Sequence, residues 1–412
     1  MIQAAAGARQ LPAIKWVQGG FAVTVIADQA EIASGLEQHD VQRMIDHLTN
    51  GTTDLAEDDL RVPLENFTSR DRAARECALF RTLPLIVGLS TEIPKPGDFF
   101  TRKVMDSQLL VVRQNDMSAR AYLNRCPHRG GKVELESCGN ARGFMCKYHG
   151  WGFDRTGALR SVPFRRAYGE VCADQKALTE FGVAERHNFL WVDLSSTTPP
   201  DMAAYLGDEV DRQLDALKLA GSVVGLQRTF SLPINWKLVL DGVFDVLHPP
   251  FLHPDTVAKI IHSKATVWLD YGRHGQLINA RTRLLEKIKA GETMSDPRRY
   301  FATNLLLYPN SWIITAPDHL EFWTVWPDAS NPARCDVDIR FLTSADADAA
   351  AIARLEKSWN LLGPALLEED WPMEEYIQEN ALTAIGPDFL YGRGEIPAQH
   401  IHRQLAKDLG ET

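Results

Sequence analysis

Four residues able to bind metal fall into two short pairs, Cys126-Pro-His128 and Cys146-Lys-Tyr-His149, with 17 residues between them. Glycines follow each pair: Gly130-Gly131 after the first, Gly150 and Gly152 after the second. Glycine lets a loop turn sharply around a metal and brings backbone amides close to sulfur. Zinc sites usually pair like with like, cysteine with cysteine and histidine with histidine. Here each pair is mixed, which suits a [2Fe–2S] cluster with both cysteines on one iron and both histidines on the other. Zinc remains the competing metal for the same four residues.

A second constellation lies about a hundred residues on. After Asn235-Trp236-Lys237 come Asp241, Asp245, His248 and His253, with the spacing Asp-x2-His-x4-His. Read as one helix from Asn235 to His248, Asp245 and His248 share a face at i, i+3. His253, five residues further, would point about 140° away on an ideal helix. Pro249-Pro250 is expected to break the helix and fold His253 back. Two histidines and a carboxylate on one side of an iron, with open positions opposite, form the facial triad of non-heme Fe(II) oxygenases. The carboxylate is expected in the acidic run Glu368-Glu369-Asp370, and Asp370 is the choice, with Glu369 as the fallback.

Both sets resemble one family. Cys126-Pro-His128-Arg-Gly and Cys146-x-x-His149-Gly-Trp are similar to the Rieske boxes of aromatic ring-hydroxylating oxygenase α subunits. The extra cysteines of respiratory Rieske proteins are missing from both boxes, and Cys138 lies mid-loop. The Asn-Trp-Lys and His-x4-His segment resembles the catalytic-iron motif of the same family. The resemblance implies His248, His253 and Asp370 as iron ligands. It implies Asp245 as a carboxylate bridging a Rieske histidine of one subunit to an iron-ligand histidine of its neighbour in a head-to-tail homotrimer. It implies a terminal oxygenase that takes electrons from a separate NAD(P)H-dependent reductase, with or without a ferredoxin, and hydroxylates an organic, aromatic substrate with O2. A β subunit is possible. Gly242 is a departure, because many members carry Asn after the acidic residue at this point.

The elements that must position these residues are legible in outline. Val41, Met44, Ile45 and Leu48 mark an amphipathic helix over 37–48, and a second helix is expected near Thr68. Short β-rich runs with turns between them fill 85–193. Later come helices over 210–219 and 235–248, then strands over 304–308, 311–315, 320–326 and 337–341. Two helices, about 346–362 and 365–383, are expected to close the chain. Strands followed by helices without βαβ alternation give an α+β class. The expected division is an N-terminal extension (1–35), a helical lead-in (36–84), an all-β Rieske domain (85–195) and a catalytic domain (196–412) with an antiparallel sheet, helix-grip-like by the resemblance.

The chain has 412 residues and a net charge of -10, a poor balance for binding nucleic acid. A basic island (Arg120, Arg125, Arg129, Lys132, Arg142, Lys147, Arg155) surrounds the cysteine–histidine pairs and could dock an acidic electron donor. No run is long and apolar enough to span a membrane and no signal peptide is read, so the cytoplasm is the expected location. No dinucleotide glycine fingerprint is present, in keeping with a separate reductase. Apolar residues near the ligands (Val239, Leu240, Val243, Phe244, Leu247, Leu252) and on the strands (Leu305, Leu306, Phe322, Trp323) could line a pocket, core being the better reading for most. The competing functions are a Rieske monooxygenase acting on a non-aromatic substrate or by oxidative demethylation, an electron-transfer protein using the cluster alone, and a zinc-stabilised binding module.

Overall fold

The expected helix near the start forms as Gln38–Asn50 and ends at Gly51, whose φ of 67° lies in the left-handed region. In this computed structural model residues 36–170, 176–290 and 297–411 are described, and the expected extension over 1–35 lies outside them. Val41, Met44 and Ile45 pack on Ala265, Val267 and Ile278 of the strands Ile261–Tyr271 and His274–Arg281. The next long helix is Arg70–Arg81, slightly later than expected. Ser69, rather than Thr68, accepts the Arg72 backbone N–H and sets its start. The Thr68 hydroxyl is spent on the Leu64 carbonyl inside the short helix Glu65–Thr68.

The β-rich stretch folds into a seven-stranded antiparallel sheet. Its spatial order is Leu85–Leu89, Phe189–Asp193, Glu180–Arg186, Ala119–Leu123, Ser107–Arg113, Asp98–Val104 and Cys138–Asn140. A three-stranded sheet, Gly143–Met145, Gly152–Asp154 and Leu159–Ser161, carries the second cysteine–histidine loop between its first two strands.

A second seven-stranded antiparallel sheet follows, in the order Ser222–Leu232, Cys335–Ser344, Leu320–Pro327, Ser311–Thr315, Phe301–Leu307, His274–Arg281 and Ile261–Tyr271. Four of these overlap the expected strands, with 304–308 shifted to Phe301–Leu307; Ser222–Leu232, Ile261–Tyr271 and His274–Arg281 were not read from the sequence. Helices cover the sheet: Met202–Ala216, kinked at Gly207, Trp236–Phe244, and the long C-terminal run. That run corrects the expectation of two closing helices. Ala349–Pro364 passes through a π-helical segment, Ala365–Asp370, into Trp371–Leu382, and a further helix, Ile396–Asp408, completes it. Strand Leu60–Val62 pairs with Phe389–Tyr391 and ties the lead-in to this C-terminal layer.

The helix Trp236–Phe244 is anchored by a buried charge network. Glu76 accepts from Lys237 Nζ on both oxygens at 2.8 Å, from Trp236 Nε1 at 2.8 Å and from Arg72 Nε at 2.9 Å. Burial pulls the Lys237 ammonium below the ordinary lysine range, and the Glu76 carboxylate opposes that pull. Lys237 is fully buried, so removing its partner leaves an uncompensated interior cation. Glu76→Ala is expected to cost about 3–5 kcal/mol of stability, read from the urea midpoint. A loss below about 1 kcal/mol, the scale of a surface pair, would contradict this role.

Candidate metal centres

The two cysteine–histidine loops share one backbone design despite their different spacing. In the first, the Cys126 N–H donates to the Gly131 carbonyl at 2.7 Å and the Gly130 N–H to the Cys126 carbonyl at 2.9 Å. In the second, the Cys146 N–H donates to the Trp151 carbonyl at 3.0 Å and the Gly150 N–H to the Cys146 carbonyl at 2.9 Å. Both turns close on a glycine with positive φ, 81° at Gly130 and 70° at Gly150, a conformation that side chains resist.

The loops bring the four residues together as two like pairs. Cys126 and Cys146 are buried side by side, and burial pushes the Cys126 thiol up while the His128 and Arg129 amides oppose it. His128 and His149 face each other with ring centroids 4.5 Å apart, and His128 stacks on Trp151 at 4.9 Å. The histidines are only partly buried, so they form the outer end of the site. A single tetrahedral zinc holds its ligands at about 2.0–2.3 Å, which would place all four donor atoms within about 4 Å of each other. No such group of three or more donors exists here among the described residues. Cysteines at one end and histidines at the other fit a two-iron cluster and not one zinc ion.

One group of donors does converge as a mononuclear site: His248, His253 and Asp370, each offering one atom within 4.8 Å of the others. His253 Nε2 lies 2.7 Å from Asp370 Oδ1, and His248 Nε2 lies 3.5 Å from the same oxygen. The opposite ring nitrogens are both held by carboxylates. Asp245 Oδ2 is 2.9 Å from His248 Nδ1, and Glu369 Oε2 is 2.5 Å from His253 Nδ1. A carboxylate behind each histidine fixes its tautomer and aims the other nitrogen at the metal. Glu369, the sequence's fallback ligand, therefore sits behind His253, and Asp370 joins the converging atoms.

Local structure differs from expectation in two ways. Asp245 and His248 do not share a helix: the helix ends at Phe244, and Asp245 is extended at φ -79°, ψ 132°. They meet because Asp245 Oδ1 accepts the Leu247 N–H at 2.7 Å, a tight side-chain turn that leaves Oδ2 for His248. Pro249 and Pro250 open a new short helix, Pro249–Leu252, rather than only breaking one, and the His253 N–H closes it on the Pro249 carbonyl at 2.9 Å. The π-helical turn was also unforeseen. It sets the adjacent Glu369 and Asp370 on the two nitrogens of one ring, and π-turns often occur at functional sites. Pro364 and Pro372, which cannot donate to a helix, are the sequence signal that bracketed it.

Gly242 has a structural explanation. A Cβ there would lie 2.2 Å from Glu374 Oε1, so the space beside the helix is filled from the C-terminal run. Glu374 is buried, and burial, with Asp370 and Asp241 nearby, pushes its carboxyl well above the usual range. Asp241 is held by Tyr391 Oη at 2.6 Å and His402 Nε2 at 3.1 Å. None of these partners was legible from the sequence, because each lies more than a hundred residues from its contact.

A cavity of about 300 Å³ opens beside His248, His253 and Asp370. Val243 and Trp323 line it as the sequence suggested, together with Val246, Ile314 and Leu366. Val239, Leu240, Phe244, Leu305, Leu306 and Phe322 are buried core, whereas Leu247 is 46% exposed and Leu252 borders a second cavity of about 320 Å³ behind the triad.

Residues 84–181 match the Rieske [2Fe-2S] domain, and residues 219–411 match the ring hydroxylating alpha subunit (catalytic domain). The chain is 38% identical over 173 residues to the large oxygenase component of the naphthalene 1,2-dioxygenase system of Pseudomonas putida, covering 40% of this chain and 38% of that protein. It is 33% identical over 207 residues to the anthranilate 1,2-dioxygenase large subunit of Burkholderia cepacia, covering 48% of each. The match thus spans less than half the length of these curated relatives. Among solved structures, a quaternary ammonium Rieske monooxygenase superposes with a TM-score of 0.72 at 17% identity, covering 84% of this chain and 95% of that one. Naphthalene 1,2-dioxygenase from Rhodococcus sp. superposes with a TM-score of 0.67 at 20% identity, over 90% and 97%. At these identities the superpositions speak to the fold.

Proposed function

The chain belongs to the Rieske-type ring-hydroxylating oxygenase family by both of its domains, and from that premise we propose that it is the terminal oxygenase of a system hydroxylating an aromatic substrate with O2. The observation that carries this reading is the convergence of His248, His253 and Asp370 beside a largely apolar cavity, in a chain that also holds a cluster-type cysteine–histidine site. In this reading Cys126, His128, Cys146 and His149 hold the [2Fe–2S] cluster, and His248, His253 and Asp370 hold the iron. The cluster supplies one-electron storage, and the mononuclear iron supplies an O2-reactive centre with open coordination positions.

The protein's own part is to hold and to shield. Asp245 and Glu369 keep a proton on Nδ1 of His248 and His253, so each Nε2 faces the centre. Val243, Val246, Ile314 and Leu366 keep the neighbouring space apolar and favour a hydrocarbon ring over water. Asp245, partly exposed, would take the bridging role towards a Rieske histidine of a neighbouring subunit in a homotrimer. Two electrons and two protons are consumed per O2: both oxygen atoms enter the product as a diol, or one enters and the other leaves as water.

Electrons would come from NAD(P)H through a separate reductase, with or without a ferredoxin. Arg125, Arg129, Lys132, Arg142 and Lys147 are exposed around the Rieske loops, a surface suited to an acidic donor. We divide the chain at 35/36, 84/85 and 195/196, and place it in the cytoplasm; no helix among the described residues is long and apolar enough to cross a membrane. The test is turnover of an arene panel under 18O2 with a surrogate reductase. Two labelled oxygens in one product show dioxygenation and one shows monooxygenation. Cluster reoxidation by O2 with no labelled product from any substrate would contradict the oxygenase role.

A further inference from the structure

Beyond its apolar wall, the cavity beside the triad has a polar side that the hydroxylation of a plain hydrocarbon does not use. Asn279 and Arg281 share one face of the strand His274–Arg281, two residues apart, and both line the cavity. Arg281 donates from Nε to the carbonyls of Arg298 and Phe301, at 3.1 and 3.3 Å, and from one terminal nitrogen, Nη2, to the Thr315 carbonyl at 3.0 Å. All three acceptors are neutral backbone oxygens, and none is a carboxylate. Guanidinium stays charged in proteins and offers five N–H groups in a planar fork. Among the described residues Arg281 is thus a partly buried cation in no ion pair, with donors to spare.

Two further polar atoms on the cavity wall lack partners. Asn279 is 6% exposed and its Oδ1 is unbonded, and His319 is 4% exposed with Nε2 unbonded. A side-chain amide can turn to present either its oxygen or its nitrogen, so Asn279 can donate to an anion beside Arg281. Glu321, the carboxylate on this side of the cavity among the described residues, is already engaged. It accepts from Trp323 Nε1 at 3.1 Å and faces His319 Nε2 at 3.7 Å, and against the effect of burial Glu321, with Asp318 on Nδ1 at 2.8 Å, raises the His319 pKa. Glu321 is thus shared: it bonds Trp323, faces His319, and its charge opposes the effect of burial on Arg281 without forming an ion pair with it among the described residues. A partly buried cation whose hydrogen bonds go only to neutral acceptors gains from a ligand anion that pairs with it.

We infer that the substrate is an aromatic acid, its ring in the apolar part of the cavity and its carboxylate on Arg281, with Asn279 as a second donor. The inference rests on the oxygenase reading of this site and adds the substrate's class to it. A planar carboxylate matches the guanidinium fork with two parallel hydrogen bonds. A cationic substrate would meet Arg281 as a like charge in a poorly solvated space, and an unsubstituted arene would leave the spare donors of Arg281 and the Asn279 amide unsatisfied.

The experiment is calorimetric titration of the metal-loaded protein, without reductant, with benzoate and 2-naphthoate and with their uncharged amides, benzamide and 2-naphthamide. At least one carboxylate is expected to bind roughly 10- to 100-fold tighter than its amide, the scale of a charged hydrogen bond. Arg281→Gln should erase that preference, and Asn279→Ala should reduce it several-fold. If Arg281→Gln fails to fold because it also loses backbone bonds, Arg281→Lys and Asn279→Ala carry the test, each lowering the preference. Equal or tighter binding of the amides, absence of carboxylate binding, or a preference untouched by these variants would overturn the inference. Binding is measured without turnover, so the two readings fail separately. Selective binding without oxidation counts against the oxygenase role alone, and oxidation of uncharged arenes without carboxylate preference counts against the aromatic acid alone.

Discussion

His253→Ala is expected to strip the mononuclear iron from the protein while leaving the Rieske cluster in place. His253 is 1% exposed, and its ring is held by two carboxylates, Asp370 on Nε2 at 2.7 Å and Glu369 on Nδ1 at 2.5 Å. Its removal takes away one of three converging donors and leaves those two carboxylates facing each other across the void. Iron should fall from about three to about two atoms per chain with acid-labile sulfide unchanged, and turnover should fall by more than about 100-fold, since loss of an outer partner alone costs about 10- to 100-fold. Glu369→Gln supplies the comparison: the ring keeps a hydrogen-bond partner, so iron affinity should weaken within that smaller range. Full iron occupancy in His253→Ala would show that the mononuclear metal is held elsewhere.

Asp245→Ala should separate the two metal centres functionally without emptying either. Among the described residues the Asp245 carboxylate bonds the Leu247 N–H and His248 Nδ1, and its side chain is 22% exposed. In the proposed homotrimer it would reach both His248 and a Rieske histidine of the neighbouring subunit. Both metals should be retained, and the cluster should still be reduced by dithionite. In a single turnover with substrate and O2, however, the reduced cluster should persist, with the rate down by more than about 100-fold. A variant that loses iron along with activity would reduce Asp245 to a support for His248. A variant with normal cluster reoxidation would remove it from the electron path.

The types and spacing of the candidate metal-binding residues are legible because each pair or triplet is local. Cys126 to His128, Cys146 to His149 and Asp245 to His253 are each held by a few residues of turn, and turns announce themselves through glycine and proline. The helix Gln38–Asn50 was legible for a similar reason, since its apolar period and terminal Gly51 lie within one short segment. Contacts made by distant segments were not. The carboxyl of Glu374 over Gly242, the hold of Tyr391 and His402 on Asp241, and the burial of Glu76 against Lys237 all depend on tertiary packing. The shared helix assigned to Asp245 and His248 was wrong because a side-chain turn and a proline-started helix give the same juxtaposition as an i, i+3 pair. The strand Ser222–Leu232 was missed because its burial is mixed along its length, and it is fixed by its pairing with Cys335–Ser344. The polar side of the cavity was missed as well, since Asn279 and Arg281 on one strand meet His319 from the turn before another, a register only the fold supplies.

The most direct test of the central claim is low-temperature EPR of the dithionite-reduced protein, beside a count of iron, acid-labile sulfide and zinc. The two-site account predicts a Rieske signal with about three irons and two sulfides per chain. Zinc in place of iron, with no sulfide and no signal, would contradict it.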